Sequence, residues 1–184
     1  MIPNQIDRPV AAGASAGGPR LLLVEDNDDH AILVELALSE QVPGSVLERV
    51  KDGPAALRRL GHAAPQSDGP APDVVVLDLN LPGLSGHEVL RAIKSDPRLR
   101  AMPVVVLSTS SAEGDRRLAY SHCANSYLVK PMDFDRFFEM VRELGEYWTA
   151  WNVPAEGRID APWLASGFPG VSSAARPAPG AIPG

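Results

Sequence analysis

Four polar positions in this chain stand where apolar runs stop. Glu25-Asp26 follows LLLV, Asp78 follows VVVL, Ser108 follows a second VVVL, and Lys130 follows YLV. Continuous apolar runs of this kind read as strands buried on both faces. A lone carboxylate at the end of one is costly unless it is paired or bound to metal. If the strands lie side by side in a parallel sheet, all these groups project from one edge. Two like charges about 4 Å apart repel by roughly 4 kcal/mol at an effective dielectric near 20, so a proton or a cation must relieve the acids. Oxygen ligands of this number suit Mg²⁺, which binds through one or two carboxylates plus a phosphoryl oxygen; Mn²⁺ fits as well. Lys130 adds a mobile point charge for a phosphoryl oxygen, and Ser108 adds a hydroxyl donor. The chemistry these groups suit is a phosphoryl group carried on a carboxylate. Asp78 would be the nucleophile, with the cation and Lys130 neutralising charge on the transferring group.

The elements that must position them alternate. Strands are expected at 21–24, 46–50, 74–78, 103–107 and 126–129, and helices at 28–40, 52–60, 85–95, 112–123 and 133–151. Pro43-Gly44 breaks the first helix, Pro54 opens the second, and Gly114 weakens the fourth. Residues 62–72 form a loop without apolar periodicity. Five strands alternating with five helices predict an α/β fold, an open five-stranded parallel sheet with helices on both faces. The expected strand order is 2-1-3-4-5, which puts the first and third strands at the switch point, where such sheets bind ligands.

Composition bounds the rest. The chain has 184 residues and a net charge of -6, which argues against nucleic acid or an anionic membrane as a partner. It has no secretory signal and no apolar run long enough to span a bilayer. A single cysteine, Cys123, makes no internal disulfide; it is expected to be a buried structural thiol, and the cytoplasm is the expected location. Residues 1–19 and 152–184, rich in Ala, Gly, Pro and Ser, read as tails around an ordered unit at 20–151.

The segments VED (24–26), LDLNLPGLSG (77–86), PVVVLS (103–108) and YLVKP (127–131) occur in order across 20–151. Together they resemble a response-regulator receiver domain of two-component signalling, with its flavodoxin-like fold. The resemblance implies that Asp78 is the phosphoacceptor and Lys130 the phosphoryl-binding lysine, with a cis bond to Pro131. It implies that Asp26 is a direct metal ligand beside Asp78, that the Asn80 backbone carbonyl is a third, and that Ser108 and Tyr127 are the switch residues. The acidic pair is Glu-Asp where the family more often has Asp-Asp, so Glu25 is expected to reach the metal through water. Thr109 competes with Ser108 for the hydroxyl role; counting from Pro103 favours Ser108. Ser110 and Asn80 lie where the family tunes dephosphorylation.

A narrower resemblance, carried by the 62–72 loop, the LDLNLP segment and EYW (146–148), is to stand-alone regulators paired with bacterial phytochromes. It implies a sensor histidine kinase, a bacteriophytochrome, as phosphodonor. Segment 152–184 is too rich in Pro and Gly to form an output domain, so output is expected through protein contacts or a phosphorelay, not through an enzymatic activity. Two other readings compete. A phosphatase like the haloacid dehalogenases needs a second Asp two residues after the nucleophile, where this chain has Asn80. A receiver-like binding module that no longer takes phosphate would lack one of the required side chains, and all are present.

Other polar residues have plainer readings. Glu25 and Asp26 could cap the following helix, and Asp28 and Asp29 suit its first turn. His30, His62, His87 and His122 show no ligand spacing and are read as surface or helix residues. GASAGG (13–18) precedes a strand, which rules out a dinucleotide loop. Eight of the ten aromatic residues lie at or beyond position 134, more than one helix covering one sheet face needs. Aromatic side chains are enriched at interface cores. A homodimer through the fourth helix, fifth strand, fifth helix and C-terminal extension is therefore expected; the alternative is that Trp148 and Trp151 pin the tail.

Overall fold

Apolar side chains that alternate along each strand divide the core into two halves. The computed structural model describes residues 19–42, 44–62 and 70–152. The tails expected at 1–19 and 152–184, apart from residues 19 and 152, lie outside the described residues, as do residues 63–69 of the expected loop. The elements run β1 (Arg20–Val24), α1 (Asp28–Gln41), β2 (Val46–Val50), α2 (Gly53–Arg59), β3 (Val74–Leu77), α3 (Gly86–Ser95), β4 (Val104–Ser108), α4 (Glu113–Ser121), β5 (Ser126–Val129) and α5 (Phe134–Glu146). The strands form one parallel sheet in the order β2-β1-β3-β4-β5, as the alternation predicts. On one face Leu21, Leu23, Val74, Val76, Val105 and Leu107 pack against α1 and α5. On the other, Leu22, Val24, Val75, Leu77, Val104 and Val106 pack against α2, α3 and α4. Successive residues of a strand point to opposite faces, so burial on both demands an unbroken apolar run.

Four of the five helices start on a side-chain cap. Asn27 Oδ1 accepts from the His30 amide at 3.0 Å, Asp52 Oδ1 from the Ala55 amide at 2.6 Å, and Asp133 Oδ1 from the Arg136 amide at 2.9 Å. Ser85 and Glu88 form a reciprocal capping box at α3. Helix α4 has no such cap, and Ala119 is its one buried residue. It is the helix held by the least packing, a property of segments that open at low cost.

Three expectations are corrected. Cys123 is exposed, not buried. It takes a φ of +62° just past α4, where the Ala124 amide bonds to Ala119 O at 3.0 Å and the Cys123 amide to Tyr120 O at 2.9 Å. This is the Schellman ending, and its left-handed residue turns the side chain outward. The Lys130–Pro131 bond, expected cis, is trans; trans is the intrinsically favoured isomer by about 0.5–1 kcal/mol. The last helix is not α-helical to Trp151. From Tyr147 to Trp151 it widens into a π turn closed by the Asn152 amide on Tyr147 O at 2.7 Å. Trp148 stays packed on the α1–α5 core while Trp151 is exposed.

Candidate functional site

Parallel register brings the ends of β1 and β3 level. Val24 pairs with Leu77, and the Asp78 amide donates to Val24 O at 3.0 Å. Glu25 and Asp78 therefore leave adjacent strands side by side, 1% and 5% exposed. Lys130 arrives from β5, its amide bonded to Ser108 O at 2.8 Å. Its ammonium sits between the two acids, 2.6 Å from Glu25 Oε2 and 2.6 Å from Asp78 Oδ2. The lysine side chain is 2% exposed. Charge-assisted bonds of this length are among the strongest available to side chains, and here the desolvated ammonium and carboxylates compensate one another.

The loops that hold these groups are tied from several sides. Asn80 donates its amide to Asp78 Oδ1 at 3.0 Å, which fixes the carboxylate plane. Its side-chain Nδ2 donates to Thr109 Oγ1 at 3.0 Å. A Cβ on Gly86 would lie 2.1 Å from Asp78 O and 2.6 Å from Leu79 Cα, so no other residue lets α3 start so close behind the acid. Arg49 donates to Glu25 O at 2.9 Å and to Asp26 O at 3.0 Å, clamping the acidic pair through its backbone.

Asp26 itself is exposed. The carboxylates and imidazole that come within 4.8 Å of one another belong to Glu25, Asp78 and His30; Asp26 stands outside that trio, at the rim. Asp28 and Asp29 lie in the first turn of α1. The Asp28 carboxyl is held below its usual value by hydrogen bonds from Lys51 and Arg49.

Ser108 is fully buried, and its Oγ accepts from the Ser110 amide at 3.2 Å. Ser110 connects the loop between β4 and α4 to its surroundings. Its carbonyl accepts from the Tyr127 hydroxyl at 2.8 Å, and its own hydroxyl donates to Asp115. That bond is the main cause that lowers the Asp115 pKa; burial opposes it, and His87 lowers it further.

Sequence reasoning missed His30, Arg49 and the Ser110 linkage. His30 Nδ1 lies 3.3 Å from Glu25 Oε1 and 3.2 Å from Lys130 Nζ. The signal was available: side chains in the first turn of a helix lean back toward its N-terminus, and α1 starts immediately after the acids.

Both the sequence and the fold have known relatives. Residues 21–142 match the family model of the response regulator receiver domain. A probable methanogenesis regulatory protein, FilR2 of Methanothrix harundinacea, is 47% identical over 134 residues, which cover 72% of this chain and 84% of that protein. Response regulator Rcp1 of Synechocystis is 38% identical over 128 residues, 70% of this chain and 87% of Rcp1. The Mn²⁺-bound structure of Rcp1 aligns with a TM-score of 0.69 at 35% identity, over 74% of this chain and 98% of the other. The phosphorylated cyanobacterial phytochrome response regulator RcpA aligns with a TM-score of 0.68 at 37% identity, over 72% and 94%. With the receiver model covering the sheet from β1 into α5, the chain belongs to the response-regulator receiver domain family.

Proposed function

We propose that this protein is a response regulator that accepts a phosphoryl group on Asp78 from a sensor histidine kinase. The observation that carries the reading is the buried Asp78 carboxylate with the Lys130 ammonium 2.6 Å from its Oδ2, at the end of a central strand. A carboxylate oxygen of Asp78 forms the new P–O bond as the P–N bond to the donor's phosphohistidine breaks, and the imidazole leaves. Lys130 already stands where negative charge arrives, so little reorganisation is needed.

The donor set fits a hard divalent cation: buried carboxylates of Glu25 and Asp78 converge, and the exposed Asp26 carboxylate is free at the rim. Asp26, Asp78 and the Asn80 carbonyl would hold Mg²⁺ or Mn²⁺, with Glu25 acting through water. Bound there, the cation neutralises phosphoryl oxygens. Incubation with acetyl phosphate and Mg²⁺ should add about 80 Da, one phosphoryl group, to the intact mass. The gain should disappear in Asp78→Asn; an unmodified wild-type chain refutes the reading.

A bacteriophytochrome is the proposed kinase, supported by the likeness to RcpA, a phytochrome response regulator. Profiled phosphotransfer should favour bacteriophytochrome kinases over other histidine kinases. The signalling step uses the loop between β4 and α4. Phosphorylation would draw Ser108 and Lys130 toward the new oxygens, and Ser110 would pass the change to Tyr127 and to weakly packed α4.

Output then runs through protein contacts or a phosphorelay at the face of α4, β5 and α5. That face exposes Leu118, Tyr120, Val129, Tyr147 and Trp151. It also carries a groove of about 550 Å³ lined by Leu128, Met140, Leu144, Tyr147 and Trp148 among others. We assign it to a homodimer; strict monomers in both phosphorylation states by analytical ultracentrifugation would remove that assignment. Among the described residues no helix is long and apolar enough to cross a membrane.

A further inference from the structure

An ammonium has three N–H donors and no acceptor. Two from Lys130 go to Glu25 Oε2 and Asp78 Oδ2. The third finds Nδ1 of His30 at 3.2 Å. His30 reaches this point from a different element, the first turn of α1. Its backbone is fixed by the Asn27 cap. Its ring stands edge-on to Phe137, with centroids 5.8 Å apart and planes at 72°.

The same Nδ1 lies 3.3 Å from Glu25 Oε1, and one ring nitrogen cannot donate to a carboxylate while accepting from an ammonium. Glu25 Oε1 already receives the Asn27 amide at 3.3 Å. The third Lys130 proton has no other acceptor among the described residues. A proton on Nδ1 would also face the ammonium. The hydrogen-bond set closes with the Nδ1 lone pair toward Lys130 and the ring proton on Nε2.

We propose that His30 is a positioning residue for Lys130: with Glu25 it holds two of the three ammonium N–H groups, so that the third is aimed at Asp78. A lysine head on a four-carbon stem is otherwise free to rotate and wander. Holding it in place before the phosphoryl group arrives removes an ordering cost from the bound state. The proposal rests on the reading of Asp78 as phosphoacceptor and Lys130 as its phosphoryl ligand.

The test uses beryllofluoride with Mg²⁺, a phosphoryl mimic, titrated into the full chain and into His30→Ala, His30→Asn and His30→Gln. Asn places an acceptor oxygen near the Nδ1 position, and Gln places one nearer Nε2. His30→Ala should weaken beryllofluoride binding about three- to tenfold, the loss of one hydrogen bond to a charged group with partial replacement by water. His30→Asn should return to within about twofold of wild type, and His30→Gln should stay with Ala. The ¹⁵N signal of the Lys130 ammonium should be protected in wild type and His30→Asn and lost in the other two.

A folded His30→Ala that binds like wild type, with an unchanged Lys130 signal, overturns the proposal. If His30→Ala does not fold, equal affinity of the Asn and Gln variants overturns it instead. Failure of the parent reading looks different: wild type itself would not bind beryllofluoride, or Lys130→Met would bind it equally well.

Discussion

Lys130→Met separates a structural cation from an incidental one. Methionine has nearly the same length and fills the same space, so the change removes charge with little cavity cost. What it leaves is two carboxylates, 1% and 5% exposed, with oxygens within 4.8 Å of each other. At that separation their repulsion is about 3.5 kcal/mol at an effective dielectric near 20. Breaking a buried ion pair from one side costs about 3–5 kcal/mol in general, which brackets that figure. Urea unfolding in EDTA should therefore show a drop of about 3–5 kcal/mol, with the slope unchanged. A divalent cation can take the place of the lost charge. Mg²⁺ at a hundred times its dissociation constant should return about 2.7 kcal/mol, if it does not bind the unfolded chain. Adding Asp78→Asn to Lys130→Met should recover most of the loss even in EDTA, because only one charged acid then remains. A variant within about 1 kcal/mol of wild type in EDTA, or one indifferent to Mg²⁺, would refute the idea that Lys130 neutralises these acids.

Three further outcomes follow from particular contacts. Gly86→Ala should destabilise the fold by about 3 kcal/mol, the upper end for overpacking, because the new Cβ meets backbone atoms of Asp78 and Leu79 that cannot swing aside; unchanged thermal unfolding and phosphorylation rate would contradict this. Cys123→Gly should stabilise by about 0.5–1 kcal/mol, since glycine takes the left-handed φ without strain and gives back part of the gain as unfolded-chain entropy; denaturant unfolding decides it. Ser110→Ala should raise the Asp115 pKa toward its usual 3.8, followed by ¹³C NMR of the carboxyl. The folded-state pKa of Asp115 is depressed, so its contribution to stability is present above about 3.8 and lost as pH falls through the lower folded value. The variant's deficit should accordingly shrink below that window, and a deficit independent of pH would point elsewhere.

Much of this protein was legible without coordinates, for a local reason. A strand buried on both faces must be an unbroken apolar run, so VVVL before Asp78 and before Ser108 located both the strands and the groups at their ends. Helix boundaries are equally local: Pro54 announced where the second helix begins, and Pro43-Gly44 where the first has ended. Strand order followed from the alternation of elements, because right-handed crossovers leave few alternatives.

Other features depended on distances between parts of the chain far apart in sequence. That Lys130 lies between Glu25 and Asp78 requires β5, β1 and β3 to be set at their actual spacing and twist, which no spacing in the sequence encodes. His30 joins them from the first turn of α1, its Nδ1 3.2 Å from Lys130 Nζ, while Asp26 is left exposed at the rim. Cys123 faces water because the α4 ending needs a left-handed residue there, a backbone demand that outranked the usual preference of a thiol for the interior. The amino-acid sequence by itself determined which elements form and which side chains end them, since those depend on neighbours along the chain. The tertiary structure alone decided which of those side chains touch, since contact depends on the packing of helices against a twisted sheet.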